Sequence, residues 1–479
     1  MISKKIDVNK KEIENIFNNV PDLVAYEFQT KSKIKMMACY IEGLIDKNLF
    51  DRDILKALIF YLDKHKDIKD VILTSKVNEL NNMEDIEKEI IGGNIVIFME
   101  GCRTCYTVEL SKWDKRAVEQ PQAESVVRGP KEGFIEDIAV NKVLLRRKIK
   151  NSNLIFEDYR LGKQTNTEVS IAYIKGIVNQ DVLDEVKNRL KEINIDAVLE
   201  SGYIEELIED NTNSFFATVS NSEKPDIIAG KILEGRVAIF TDGTPHVLVV
   251  PTLFIEGIMS SEDYYRRPYF SSFLRLLRAF AFFVTIYLPG AFVALMLYHQ
   301  EMIPTVLLIS AAGAREGVPL PVAIEIIIMV IVLELTKESG LRLPKNIGAT
   351  VSIVGALVLG QAAVQAKLIG ALTVILISIT ALTEFIIPEL VQGIVLYRLV
   401  VIFLGGFFGL YGVVCAFAAI TMHIISLNSF GVPFGWPIAP RNNRGLKDTV
   451  VRLHKKRFIF RPEAIAKENV KRQEPPKGE

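Results

Sequence analysis

Four long runs without a charged residue lie in the second half of this chain of 479 residues. A helix needs about 20 apolar residues to cross the ~30 Å hydrocarbon layer of a membrane. Helices of soluble proteins alternate apolar and polar faces, and these runs do not, so helices buried in a large soluble domain are the less favoured alternative. The sequence therefore predicts an integral membrane protein. The runs cover residues 279–298, 347–366, 368–383 and 399–425.

A further apolar stretch, residues 303–335, is interrupted and does not fit a simple span. It opens with about ten apolar residues, too few to cross a bilayer, and then meets Pro319 and Pro321, which stop a helix. We interpret it as a re-entrant helical hairpin, or as a broken helix that lines a cavity. Four crossings plus this hairpin is our prediction, and five crossings is the alternative.

Basic residues flank the apolar region on both sides. Lysine and arginine accumulate on the cytoplasmic side of membrane proteins. Both flanks are therefore predicted to be cytoplasmic, which requires an even number of crossings. The basic residues are Arg266, Arg267, Arg275 and Arg278 before the first run, and those between residues 441 and 461 in the tail.

Residues 1–265 are rich in charge and carry both helix and strand patterns. The predicted fold class is an α/β cytoplasmic domain in two lobes, followed by an all-α polytopic membrane domain. The predicted boundaries are 1–125 and 126–265 for the lobes, 266–428 for the membrane helices and 429–479 for a basic cytoplasmic tail. Helices are expected at 10–19, 33–62 and 181–193 and from Ser201, with a strand at 168–176.

Two segments of this domain resemble each other, residues 90–101 and 232–243. Each follows a helical pattern, contains a glycine where the helix should stop, and continues into two β-rich stretches separated by a short turn. We interpret them as related helix–strand–turn–strand units, one in each lobe. A chance match of common helix and turn signals is the alternative.

The sequence offers no recognisable catalytic, cofactor or metal site. Cys102 and Cys105 have the C-x-x-C spacing, but no second cysteine pair or nearby histidine completes a zinc site, so we predict reduced structural cysteines. The formal net charge is zero, and nothing indicates nucleic-acid binding. We therefore predict a protein that is not an enzyme.

The run at 347–366 is the best candidate for a pore. Valines near its start and glutamines near its end share one helical face, and apolar rings beside polar rings can gate a channel. Small residues on a neighbouring face allow close helix packing, and simple packing of both faces is the alternative. The pore-lining candidates are Val351, Val354, Val358, Gln361 and Gln365, and the packing candidates are Gly348, Ser352, Gly355 and Ala362.

Charged residues also occur within the predicted membrane domain, where they are costly and commonly functional. The carboxylates are candidates for attracting cations, or alternatively are ion-pair partners of Arg315 and Arg398. These intramembrane charges are Arg315, Glu316, Glu325, Glu334 and Glu384.

Eight short motifs carry a resemblance to a known family. In this order they resemble the A subunit of the bacterial spore germinant-receptor family, the GerA family, between residues 126 and 440. Each motif alone is weak, and their combination is specific. They lie at 126–137, 204–210, 235–239, 262–265, 315–319, 340–344, 360–364 and 429–433.

The resemblance implies a role in spore germination. Family members reside in the inner spore membrane and act with a permease-like B subunit and a lipoprotein C subunit in sensing small nutrients. The A subunit is expected to form a homo-oligomer with a gated ion channel and to need no cofactor. The alternatives are a germination-amplifying paralogue of the dipicolinate-release operon and a non-conducting scaffold for the permease-like subunit.

Overall fold

The computed structural model describes residues 2–63, 67–72, 77–110, 124, 128–342 and 360–474. Its N-terminal half contains two five-stranded antiparallel sheets, one in each lobe. The first lobe consists of α1 (Ile6–Ile16), β1 (Leu23–Gln29), β2 (Lys35–Ile41), α2 (Lys47–Leu49), a π-helical turn (Phe50–Leu55), α3 (Lys56–Tyr61), α4 (Ile68–Val71), β3 (Val77–Leu80), α5 (Met83–Ile91), β4 (Ile95–Met99) and β5 (Cys105–Val108).

The second lobe repeats the strand arrangement of the first. The first sheet has the order β1-β2-β4-β5-β3, and the second has the order β6-β7-β9-β10-β8. The boundary predicted between residues 125 and 126 lies outside the described residues. The second lobe consists of α6 (Ile138–Lys148), β6 (Leu154–Leu161), β7 (Thr167–Ile174), α7 (Gln180–Glu192), α8 (Ser201–Ile208), β8 (Ser220–Ser222), α9 (Pro225–Ile232), β9 (Val237–Thr241) and β10 (Val247–Val250).

Glycines at equivalent positions explain why the two units turn in the same way. Gly93 after α5 and Gly235 after α9 have φ of +87° and +102°, values that glycine adopts readily at a helix end. Gly101 and Gly243, in the two strand–strand turns, both have φ of +89°. The predicted helix–strand–turn–strand structure is confirmed for both segments. The predictions for the elements that became β7, α7 and α8 are confirmed as well.

The predicted helix over 33–62 is wrong in its first part. Residues Lys35–Ile41 form β2, which pairs with β1 on one side and β4 on the other. Met36–Ile41 are buried on both faces of the sheet, so this segment shows neither the alternation of a half-buried strand nor a helical stripe. Only the later part of the predicted range is helical.

A bundle of apolar helices follows the second lobe. The described residues include two helices that are long and apolar enough to cross a membrane, Pro268–Tyr298 and Pro388–Ser426. The bundle consists of 3-10 turns at Phe254–Ile258 and Ser261–Tyr264, α10 (Pro268–Tyr298), α11 (Thr305–Ala314), α12 (Val322–Arg342), a helical stretch at 360–365, α13 (Ala371–Glu384) and α14 (Val391–Ser426), and the tail begins with β11 (Asn428–Ser429) and β12 (Val432–Pro433).

The single span predicted at 399–425 is wrong, because α14 reverses direction in its middle. Gly409 has φ +61° and ψ −147°, which are not helical. The rings of Tyr397 and His423 are 6.1 Å apart, whereas 26 residues of straight helix would separate them by about 39 Å. The two halves of α14 therefore form a helical hairpin. The sequence did not predict this hairpin, because the chain reverses at a single glycine within an otherwise uninterrupted apolar run.

The interrupted stretch at 303–335 breaks where the sequence indicated. α11 ends at Ala314, and α12 begins at Val322 after the two prolines. The second part extends beyond the predicted end, because α12 continues to Arg342 and is 21 residues long. At 1.5 Å per residue α12 is about 32 Å long. This is longer than one helix of a re-entrant hairpin needs to be.

Two glycines allow α10 and α14 to cross closely. A Cβ atom on Gly290 would lie 2.6 Å from the carbonyl oxygen of Val401, and one on Gly405 would lie 2.5 Å from the carbonyl oxygen of Gly290. Real Cβ atoms do not approach that closely, so both positions require glycine for the observed packing. The first half of α14 is thereby held against the middle of α10.

Candidate functional site

The pore and packing candidates are divided between described and undescribed residues. Val351, Val354, Val358, Gly348, Ser352 and Gly355 lie outside the described residues. Gln361, Ala362 and Gln365 lie on the helical stretch at 360–365, and their side chains are exposed on the single chain. This stretch passes close to α13, since a Cβ atom on Gly360 would lie 3.5 Å from Cγ1 of Val374.

Glu325 is the centre of a buried polar cluster at the start of α12. Its carboxylate accepts hydrogen bonds from Arg315 Nη2 at 2.8 Å, the Gly370 backbone N–H at 2.9 Å and Thr373 Oγ1 at 3.0 Å. Gly370 is the residue before α13, so the carboxylate also lies at the positive end of that helix dipole. The cluster joins the 315–320 loop, α12 and α13. Glu316, next to the arginine, is exposed.

A second cluster ties α12, α13 and α14 together around Arg398. This arginine is fully buried; it donates to Glu384 at 2.9 Å and also to Glu334. Lys337 contacts Glu334 at 3.0 Å and Glu384 at 2.5 Å. Two cations thus face two carboxylates, and the cluster is formally neutral. A buried charge that is paired in this way is tolerated, and removing one partner leaves an uncompensated charge.

These contacts place four of the five predicted intramembrane charges in two ion-pair clusters. Glu325 lies against Arg315, and Glu334 and Glu384 lie against Arg398, which is the arrangement that the ion-pair alternative describes. Glu325 and Glu334 lie on α12, Glu384 ends α13, and Arg398 lies on α14. Their side chains therefore fix how the three helices pack relative to one another.

A third charged cluster, which sequence analysis missed, holds the C-terminal tail against the start of α10. Asp263 is fully buried and accepts from Arg275 Nε at 3.0 Å and Arg278 Nη1 at 2.8 Å. Arg275 also donates to the backbone carbonyl of Asp448 at 2.7 Å, and the Tyr264 hydroxyl donates to the Asp448 carboxylate at 2.7 Å. Burial and the adjacent Asp448 carboxylate raise the pKa of Tyr264. The start of α10 and the tail therefore lie on the same side of the bundle.

The sequence indicated only the basic half of this third cluster. The arginines before the first apolar run were visible as a basic flank, but their carboxylate partners were not. Asp448 is more than 170 residues beyond Arg275 along the chain, so no local spacing links them.

The pKa of the Glu205 carboxyl group, on α8 of the second lobe, is shifted from its usual value. Burial, together with the charges of Glu209 and Glu200, raises its pKa to about 7. Its neighbours in the adjoining cavity include Phe216 of the second lobe and Gly393 at the start of α14. This group therefore titrates near neutral pH where the second lobe contacts the helical bundle.

A cavity of about 530 Å³ lies between the second lobe, the 3-10 turns and the tail. Glu256 on its wall accepts from Arg236 at 2.6 Å and contacts Lys231 at 3.3 Å. Burial opposes ionisation of Glu256, but the charges of Arg236 and Lys231 outweigh it and lower its pKa. These three groups are paired with one another, and they join the 3-10 turn to the second sheet.

The cysteine pair lies in the first lobe and not in the helical bundle. Cys102 and Cys105 are free thiols, and burial raises the pKa of Cys105 to about 12. The thiolate is the reactive form of cysteine, and the raised pKa keeps Cys105 in its unreactive thiol form at neutral pH. Among the residues that the structure describes, no three histidine, cysteine or acidic side chains are grouped so that they could hold a metal ion.

The architecture defines a class of protein that joins a two-lobed α/β domain to a bundle of long apolar helices braced by buried ion pairs. Comparison with known proteins identifies the family. The chain belongs to the GerA family, described as Bacillus/Clostridium GerA spore germination protein, whose sequence profile matches residues 11–464. It is thus a member of the A-subunit family of germinant receptors in spore germination.

Individual relatives match over nearly the full chain. Spore germination protein KA of Bacillus subtilis (strain 168) is 37% identical over 98% of this chain and 88% of its own length. The uncharacterized membrane protein YfkQ of the same organism is 38% identical over 99% of this chain and 94% of its own length. One solved structure is also similar: the crystal structure of the N-terminal domain of the A subunit of the Bacillus megaterium spore germinant receptor GerK3. The match has 31% sequence identity and a TM-score of 0.41, and it covers 53% of this chain and 97% of that one.

Proposed function

We propose that this chain is a germinant-receptor subunit that responds to small nutrients by gating an ion channel formed by several copies of itself. The observation that carries the proposal is the combination of family membership with an apolar helical bundle containing fully buried ion pairs. Charges buried among apolar helices are costly, so their presence favours a transport or gating role over a simple anchor.

The bundle spans the inner spore membrane in this proposal, and the α/β lobes and the tail lie on the cytoplasmic side. The long apolar helix α10 and the apolar hairpin of α14 support membrane insertion, as do large exposed apolar side chains such as Phe280, Phe407 and Tyr411. The hydrogen bond from Arg275 to the Asp448 carbonyl supports placing both flanks of the bundle on one side. An even number of crossings follows from that placement.

In this proposal the segment 347–366 lines the pore, and its valines would form a narrow apolar ring. Val354 and Val358 would meet around the oligomer axis and exclude water, and Gln361 would form a polar ring one turn away. The exposure of Gln361 and Gln365 on the single chain supports this arrangement. Gly348, Ser352, Gly355 and Ala362 would pack against neighbouring helices.

The functional complex also contains a permease-like B subunit and a lipoprotein C subunit. Membership of the A-subunit family supports this assignment. The two ion-pair clusters join the helices to one another, so a partner's conformational change that moved these helices would have to break the pairs.

Ion flux through the purified full-length chain in liposomes tests the proposal. Val358→Ala removes two methyl carbons from each copy and should widen the ring, so flux rises and spores leak potassium with little nutrient. Gly355→Leu is the contrasting variant, because it wedges helices apart and should lower protein abundance. Normal protein abundance with unchanged flux and dormant Val358→Ala spores would show that this face does not line a gate.

Ion flux, co-purification with the permease-like subunit and gene deletion together separate the alternative functions. A non-conducting scaffold gives no flux in any variant but still retains the permease-like subunit on purification. A germination-amplifying paralogue of the dipicolinate-release operon conducts, but its deletion slows germination by every nutrient equally.

A further inference from the structure

The first turns of α10 are polar on the inside and aromatic on the outside. Ser271 and Arg275 are fully buried, and Arg275 bonds to Asp263 and the tail. The opposite face exposes Tyr269 and Phe273, which are 82% and 60% exposed. This is the reverse of a helix in water, where aromatic side chains turn inward.

The tail places positive charge beside this aromatic face. The Arg452 N–H donates to Ser272 Oγ at 3.0 Å, and the ring of His454 lies 5.8 Å from that of Tyr269. Lys455 and Lys456 follow immediately and are exposed. Residues 264–300 and 449–462 contain no aspartate or glutamate, so both contributing segments carry only positive charge.

The length of α10 sets the depth of this surface. The helix has 31 residues and is therefore about 46 Å long, whereas the hydrocarbon layer is ~30 Å thick and the bilayer with headgroups about 40–45 Å. If its apolar part crosses the hydrocarbon, its first turns lie among the headgroups. The exposed face continues along α10 through Phe280 and Phe283, toward the hydrocarbon.

We propose that the first turns of α10 and the tail form one binding surface for anionic phospholipid headgroups, with Arg267, Lys455 and Lys456 contacting the phosphate and Tyr269, Phe270 and Phe273 lying at the headgroup boundary. Aromatic belts and basic clusters both concentrate at that depth of a membrane. We call it the headgroup surface. This proposal rests on the membrane location given under the proposed function, but it does not require the protein to conduct ions.

The test counts lipids bound to the full-length chain by native mass spectrometry in detergent, with phosphatidylglycerol compared with phosphatidylcholine. Each lysine near an anionic surface contributes about a fivefold change in binding, so Lys455→Gln with Lys456→Gln should weaken phosphatidylglycerol binding roughly 30-fold. The matched control is Lys4→Gln with Lys5→Gln, which removes the same charge from exposed positions in the first lobe. The control should change binding less than twofold.

Several results would overturn the proposal. Equal binding of the two lipids, or equal loss in the control, would show that the surface does not select anionic headgroups. Full competition by inorganic phosphate would indicate a free-phosphate site. Unchanged lipid binding with dissociation of the oligomer would assign the surface to a protein interface. A lack of ion flux in liposomes, with phosphatidylglycerol selectivity intact, would contradict the proposed channel and leave this surface standing.

Discussion

Replacing Gly409 by alanine should destabilise the helical bundle, because the reversal of α14 depends on this residue. Its φ of +61° and ψ of −147° lie in a region that residues with a Cβ atom adopt only at a cost of about 1–3 kcal/mol. The added Cβ would also lie 3.0 Å from His299 Nε2 and 3.3 Å from Tyr298 Cβ, so these side chains must shift, at a cost of about 1 kcal/mol.

The assay is thermal unfolding of the purified chain in detergent, followed by circular dichroism at a helix-sensitive wavelength. A loss of this size should lower the unfolding midpoint by roughly 4–10 °C. Gly313→Ala is the matched control, since Gly313 lies within α11 with open space around its Cβ position. Alanine in a helix interior is more stable than glycine by about 0.5–1 kcal/mol, so the control should not lower the midpoint.

A second variant separates the two causes. His299→Ala removes the imidazole that the new Cβ meets but leaves the backbone conformation of Gly409 unchanged. The double variant Gly409→Ala with His299→Ala should therefore recover the part of the steric loss that comes from His299 and retain the backbone part. If Gly409→Ala melts at the wild-type midpoint, α14 is not reversed at this glycine and the hairpin is wrong.

Three further predictions address the hairpin, the ion pairs and the perturbed carboxyl group. Cysteines at Tyr397 and His423, in a chain whose native cysteines are replaced by serine, should cross-link efficiently, and failure to do so would indicate a straight helix. Arg398→Met should cost about 3–5 kcal/mol by leaving buried carboxylates uncompensated, and adding Glu384→Gln should recover part of this loss; a stable single variant would contradict the pairing. Because the folded-state pKa of Glu205 is raised from 4.5 to about 7, the folded state holds this proton more tightly than the unfolded state. Its stabilising contribution is therefore complete below pH 4.5 and lost as the pH rises to about 7, a change of about 1–3 kcal/mol. Glu205→Gln should remove this decline in urea unfolding, and an unchanged pH profile would show that another group is responsible.

The N-terminal half shows which elements local sequence patterns can predict. Glycine stops and short β-rich runs are local signals, so they located both helix–strand–turn–strand units, and Gly101 and Gly243 adopt the same φ in the two turns. β2 was missed because it is buried on both faces, between β1 and β4 in the interior of its sheet. A strand buried in this way is apolar throughout and cannot be told from a buried helix by periodicity.

The sequence by itself determined that the second half is a bundle of apolar helices, because runs of uncharged residues are a local property. It also located the break before α12, since proline acts on its own backbone. Only the tertiary structure decided the reversal at Gly409, the pairing of Arg398 with Glu334 and Glu384, and the return of the tail to Arg275. These features join residues that are distant along the chain, and their energies come from burial and charge pairing in three dimensions, which no spacing in the sequence encodes.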